Sequence, residues 1–281
     1  MEKIIEMPRV LHDSYRTIKI LSKIQNTIIK CKEDRIILDF QNCIFSHALF
    51  TSYIGALGVI ANSDNKTLVF RVRDPSKLCT YIYDSGLYDF IQQKPYSANN
   101  KNVIPFTAID MNDDAIIDYT NTILSHAPVE LDTNVDQQLF KNLYEILSNA
   151  VEHSHARHGI YGCGHWFPKK QELAFSVYDT GIGIDTSVKQ KINPSFSSEE
   201  AIKWSFEINN STKQLDDYIP RGVGLPEFLE FIKRNNGELS IICNDICYIY
   251  NNKATFHTLE YPIEGTIISF IIKSPTTLNS K

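Results

Sequence analysis

The 281-residue chain has no apolar run long enough to span a bilayer, and its N-terminus shows neither a basic flank nor an apolar h-region. A protein working in the cytoplasm, off the membrane, is the expectation. Disulfide architecture is missing too: six cysteines, at 31, 43, 79, 163, 243 and 247, are scattered without a framework, which suits reduced thiols. Nor is there a large excess of one charge. A net charge of −5 and a pI near 5.9 argue against bulk electrostatic binding of nucleic acid or an anionic membrane, and protein and nucleotide become the expected partners. Internal repeats with a period of about 20–50 residues and low-complexity tracts are absent as well, so solenoids and repeat arrays drop out.

What remains is a globular composition. With 43% apolar residues the chain can fill sizeable cores, and its length suits two domains better than one. Ile4 to Val10 reads as a short strand, and Ser14 to Cys31 as a helix with Ile18, Leu21, Ile24, Ile28 and Ile29 at helical spacing and Asp13 or Ser14 as N-cap. Arg35 to Phe40 reads as a buried strand, Ala48 to Ala61 as a helix, Thr67 to Val72 as a strand, and Leu78 to Ile91 as helix, turn and helix. Such alternation implies a parallel or mixed sheet. Gln92 to Lys101, with Pro95, Ser97, Asn99 and Asn100, is polar and turn-rich, and divides the chain into domains 1–100 and 101–281.

In the second half, Asp110, Asn112, Asp113 and Asp114 offer N-caps for a helix to about His126, which Pro128 separates from the next. If Val135 to Ser154 is helical, Leu139, Leu143, Ile146, Leu147 and Ala150 form one apolar arc, while Glu145, Asn149 and His153 share a neighbouring stripe. A carboxylate one turn before a carboxamide permits Asn149 to coordinate a magnesium ion carrying nucleotide phosphates, with Glu145 placed to orient or deprotonate water. An ordinary amphipathic helix with both side chains solvated is the alternative.

Three further pieces bear on that choice. Leu173, Phe175 and Val177 alternate as in a half-buried strand, which ends in Asp179-Thr180-Gly181-Ile182-Gly183. There an Asp can accept a hydrogen bond from an exocyclic amine such as that of adenine, and glycines let backbone approach a ring; a plain turn is the alternative. Gly222-Val223-Gly224-Leu225 opens a helix over Pro226 to Asn235, whose unpaired amides and dipole suit polyphosphate. Gly265-Thr266 begins an apolar strand suited to lining an adenine pocket. Asp185 to Pro220, between the two glycine stretches, is too long for a simple turn and reads as a lid with a helix over Ser198 to Phe206 after N-cap Ser197. In it Lys213 can reach a γ-phosphate on closure with Arg221 in support, unless both are merely solvated.

These four pieces in this order resemble the gyrase, chaperone, histidine kinase and MutL (GHKL) ATPase superfamily, with its N box, DxGxG box and GxG box, over residues 103 to 273. Within it, Asp114 to Ser125, Glu145 and Asn149-Ala150-Val151-Glu152-His153 look most like anti-sigma-factor serine kinases. The resemblance implies a two-layer α/β sandwich (the Bergerat fold) and ATP with magnesium as cofactors. It makes Glu145 the general base and Asn149 the magnesium ligand, and it puts Asp179, Gly181, Gly183 and Thr266 around adenine. Gly222 and Gly224 then lie on the phosphates, with His153, Lys213, Arg221 and Leu225 completing the nucleotide-binding set. Leu38-Asp39-Phe40, Phe45-Ser46-His47-Ala48 and Ser85-Gly86-Leu87 resemble STAS domains, over residues 1 to 92. Phosphorylated antagonists of that class carry Asp-Ser where this chain has His47-Ala48, so a plain α/β interaction domain without chemistry is expected, and Ser46 or Thr51 as a substitute acceptor is the alternative.

Three function classes follow from the resemblance: an ATP-hydrolysing conformational switch, a serine/threonine kinase acting on a separate STAS-like protein, or a non-catalytic nucleotide-binding scaffold. A protein partner, STAS-like or other, is expected, and the sequence leaves room for a homodimer. His153, His155, His158, His165 and Cys163 have the residue types for zinc, but their spacing fits no common zinc motif, so structural or solvent roles are expected.

Overall fold

The computed structural model describes residues 2–72, 80–95, 100–126, 133–153, 155–207 and 224–273. In the N-terminal half, strands β1 (Glu2–Glu6) and β2 (Val10–Leu11) precede helix α1 (Tyr15–Lys30). Then come β3 (Arg35–Asp39), β4 (Phe45–Ser46), helix α2 (Ala48–Ser63), β5 (Thr67–Arg71) and the short helices α3 (Thr80–Asp84) and α4 (Leu87–Ile91). Strands β1, β3 and β5 pair in parallel in that order, as the alternating pattern requires, while β2 and β4 make a separate parallel pair. One expected strand is thus two, broken at Met7–Arg9. The apolar stripe of α1 is buried at Ile18, Leu21, Ile24 and Ile28. Helix α2 is buried almost all round from Ala48 to Leu57, as befits a helix with a layer on either side.

The C-terminal half runs β6 (Val103–Ile109), α5 (Asp113–His126), α6 (Thr133–His153), β7 (Ile160–Phe167) and β8 (Glu172–Asp179). It continues with α7 (Ile184–Lys191), α8 (Ser198–Ser205), α9 (Gly224–Arg234), β9 (Glu238–Asn251) and β10 (Lys253–Lys273). Five strands pair antiparallel in the order β6-β7-β8-β10-β9. Alternation along β8 sends Leu173, Phe175 and Val177 into one core with α5, α6 and α9, and Tyr178 into the other, with α1 and α2. At α8 the sequence is locally explicit: Ser197 Oγ accepts from Glu200 N (3.2 Å) and Glu200 Oε2 accepts from Ser197 N (2.8 Å), a reciprocal capping box. No helix among the described residues is long and apolar enough to cross a membrane.

The two halves share a face. Cys163, Ser176, Ser269 and Ser240 stand side by side across β7, β8, β10 and β9, since Cys163 is in register with Ser176, Ser176 with Ser269, and Ser269 with Ser240. Each meets the N-terminal half. Cys163 Sγ donates to Ala48 O (3.2 Å), Ser176 Oγ shares a hydrogen bond with Ser52 Oγ (3.0 Å), and Ser269 Oγ and Ser240 Oγ donate to the two oxygens of Asp13 (3.0 and 3.1 Å). The turn-rich stretch near residue 100 therefore divides the sequence without separating the halves, whose α1–α2 layer fills the face of the five-stranded sheet opposite α5, α6 and α9. Asp13, one of two N-cap candidates, spends its carboxylate on this seam, and the cap position of α1 falls to Ser14.

Burial pushes the Asp13 carboxyl up to about 6, against the two serine donors that favour its charged form. Its proton is held more tightly folded than unfolded, so the acid's relative contribution to stability is full below the unfolded pKa and is lost as pH rises through 6. Asp13→Asn, which is neutral throughout, is expected to be more stable than the wild type at pH 8, on the order of 2–3 kcal/mol. The gap should close between pH 6 and 4. Urea melts of both proteins across that range check it, and a pH-independent difference would contradict the burial argument.

Candidate functional site

The antiparallel sheet presents a cluster of polar backbone and carboxylate at the C-terminal end of β8. Asp179 is buried there, with Gly181 N donating to its Oδ1 (3.0 Å) and further hydrogen bonds from the backbone and hydroxyl of Thr266 on β10, its partner in register. Burial outweighs those donors and pushes the carboxyl up to about 7. Gly183, at φ +86, ends the loop and starts α7, and Ile184 N donates to Thr266 Oγ1 (3.2 Å), so Thr266 braces both ends of the Asp179–Ile184 segment.

A bulge delivers Thr266. Pairing of β10 with β9 shifts register on either side of Ile263, and Gly265 sits in the shift at φ +94, beside the carbonyl of Asp179.

Helix α6 comes to this end through the segment that follows it. His158 N donates to Thr180 Oγ1 (2.9 Å), Arg157 N to Thr180 O (3.4 Å), and Thr180 N and Oγ1 both donate to Gly159 O (3.2 and 2.9 Å). Residues 157–159 are thereby stitched to the residue after Asp179, a few residues beyond the last turns of α6. On them Asn149 and Glu145 are half-buried, with Asn149 Nδ2 donating to Glu145 Oε1 (3.5 Å); that contact commits the amide nitrogen and leaves Oδ1 to serve as an acceptor. The apolar arc read from the sequence, Leu139, Leu143, Ile146, Leu147 and Ala150, is buried as a set. Gly224 starts α9, and Leu225 packs partly buried at the margin of the same core.

Asp179, Gly181, Gly183 and Thr266 are thus gathered at the end of β8, while Glu145 and Asn149 lie one turn apart on α6, which packs on β8 and on α9, the helix that Gly224 and Leu225 begin. The His153 side chain, Lys213, Arg221 and Gly222 lie outside the described residues. The stretch read as a lid carries α7 and α8 in its first part, and α8 ends one residue short of the expected helix. Ser46 and Thr51, the substitute phosphoacceptors, are both buried, as is His47 between them, whose pKa burial lowers to about 4. No group of three or more His, Cys, Asp or Glu able to hold a metal occurs among the described residues; Cys163 is drawn to α2, where burial raises its thiol to about 12, and His165 packs on Phe167 and Tyr81. None of the five described cysteines is in a disulfide.

Sequence reading passed over a polar network beside the site. Asn244 Nδ2, Asp185, Lys189, Ser198 and Asp245 connect β9, α7 and α8. Its only trace in the sequence is Asn244-Asp245, two polar residues interrupting the apolar run Ile241 to Ile249. Comparison of the chain with family models, with curated proteins and with solved structures returned no match.

Proposed function

We propose that the chain is a magnesium-dependent ATP-binding protein that hydrolyses ATP as a conformational switch, built as a GHKL-type ATPase domain backed by a STAS-like α/β layer. Two observations support this reading: Glu145 and Asn149 pair one turn apart on α6, a helix packed on β8, and β8 ends in the buried, glycine-flanked carboxylate of Asp179. A buried carboxylate that ends a strand beside open backbone is suited to reading an exocyclic amine, and one turn of helix is suited to holding phosphate chemistry beside it.

The residues fit the cofactor. Magnesium takes one or two protein oxygens and keeps water and phosphate in its other positions, so a lone carboxamide such as Asn149 suffices and no all-protein cage is needed. When bound, the ion would neutralise charge on the polyphosphate. Glu145 would take the proton of the attacking water, Asp179 would hold the base, and Gly183 and Thr266 would set the backbone around it. Calorimetric titration of the purified chain with Mg-ATP, beside phosphate release, tests the reading, and a chain that takes up no Mg-ATP at millimolar concentration refutes it.

The raised pKa of Asp179 gives this reading a pH signature. Only the carboxylate offers both oxygens as acceptors to the adenine amine, and burial raises its pKa to about 7, so its proton is lost in the neutral range. Affinity is accordingly full above the raised pKa and falls as pH drops through 7, tending to about tenfold per pH unit. Asp179→Asn is expected to bind more weakly and to lose that slope. Parallel pH profiles of the two proteins would tell against the role.

A further inference from the structure

Asn244 is an oddity of β9. Its backbone lies in the left-handed region at φ +49, and it pairs with Ile263 between two shifts of register, so the strand is bent at the polar pair Asn244-Asp245 within an otherwise apolar run. That bend turns the carboxamide toward the nucleotide loop. Nδ2 lies 3.0 Å from Ile182 O, 2.6 Å from Asp185 Oδ1 and 2.9 Å from Thr186 Oγ1. It also fills the space that Gly183 leaves, since a Cβ on Gly183 would come within 2.6 Å of it.

We infer that Asn244 is a positioning residue that holds the Gly181–Gly183 loop in the shape that meets the base, an inference that rests on the nucleotide-binding reading above. Two amide protons bind one loop carbonyl and the first carboxylate of α7, clamping the segment at Ile182 and Asp185, while the Thr266 hydroxyl takes Ile184 N. The clamp is itself anchored. Asp185 is buried and accepts from Lys189 Nζ (3.0 Å), Lys189 donates to Ser198 Oγ (2.8 Å), and Ser198 donates to Asp245 Oδ1 (2.7 Å), which returns the chain of contacts to the residue beside Asn244. Loop, α7, α8 and the β9 bend form one closed circuit.

Asn244→Gly tests it, because glycine accepts the positive φ and the change removes only the carboxamide. The expected result is an Mg-ATP dissociation constant raised about tenfold or more and a preference for ATP over GTP collapsed toward unity. Turnover at saturating ATP should stay within about twofold of wild type, because Glu145 and Asn149 sit on α6. Amide exchange over residues 181–186 should quicken in the absence of nucleotide. A folded variant with wild-type affinity overturns the inference, as does one that loses affinity equally for ATP and GTP, the mark of a general structural defect. If the glycine variant does not fold, Asn244→Asp takes its place, since aspartate tolerates the left-handed backbone and lacks the amide donors, and the same outcomes support or overturn the inference. A wild type that binds no Mg-ATP refutes the nucleotide reading and this inference with it, whereas wild-type binding that Asn244→Gly leaves untouched refutes the inference alone.

Discussion

Phosphate release from Mg-ATP is expected to fall by about 10²–10⁴-fold when Glu145 becomes alanine, while affinity for the nucleotide stays within about threefold of wild type. The separation of the two effects is the point. A group that acts as general base contributes in the transition state and little in the ground state, so its loss appears in kcat. Asn149, one turn further along α6 and in contact with Glu145, has the opposite assignment, as it would hold the metal that carries the phosphates. Asn149→Ala is therefore expected to abolish measurable Mg-ATP binding, with metal-free ATP affected far less. Single-turnover phosphate release with calorimetry on both variants reads these outcomes. Turnover unchanged in Glu145→Ala would remove the general-base assignment, and unchanged Mg-ATP affinity in a folded Asn149→Ala would remove the metal assignment.

The largest expected effect on stability is at Gly265. Its φ of +94 lies where a side chain costs about 1–3 kcal/mol in backbone strain. A methyl group there would also overlap the carbonyl oxygen of Asp179 and come within 2.9 Å of Gly181 N, both main-chain atoms that no rotamer change can move. Relief requires β10 to withdraw from β8 at the pair Thr266–Asp179, in the middle of the candidate site. Gly265→Ala should lose about 3 kcal/mol or more, a drop in melting temperature of about 6–12 °C, with nucleotide binding weakened in what remains folded. Gly58→Ala is the control: the new methyl meets chiefly the terminal carbon of Ile91, which can swing away, and a helix interior favours alanine by about 0.5–1 kcal/mol. Differential scanning calorimetry on the pair separates the cases. Equal melting temperatures would mean that the bulge tolerates a side chain.

Much of this architecture was legible because it rests on local periodicity. The helices at Tyr15–Lys30 and Ala48–Ser63, the strand Arg35–Asp39 between them, the amphipathic helix of Glu145 and Asn149, and the Ser197 cap all stand where spacing and side-chain chemistry place them, whereas Phe45–Ser46 falls in a stretch that reads as loop. Strands β6 and β7 went unread. Around Gly162 and Gly164, β7 has little apolar alternation, since glycine there makes room for Tyr119 of α5 and Ile104 of β6, and the need for that room is a property of the neighbours. Asp13 shows the limit most sharply: a residue before a helix reads as a cap, whereas its partners are serines 227 and 256 positions away.

By itself, the sequence determined the mixed α/β content, the helices and the more apolar strands in order, and the candidate residues Glu145, Asn149, Asp179, Gly183 and Thr266, because periodicity and the spacing of carboxylate, amide and glycine are carried within a few turns of chain. Only the tertiary structure decided that Cys163, Ser176, Ser269 and Ser240 make one rung and that the N-terminal layer is seated on it. It also decided that the bends at Asn244 and Gly265 both meet the Asp179–Ile184 loop. The physical reason is register: pairing between strands distant in sequence is chosen by the sum of packing on both faces of a sheet, and no single segment contains that sum.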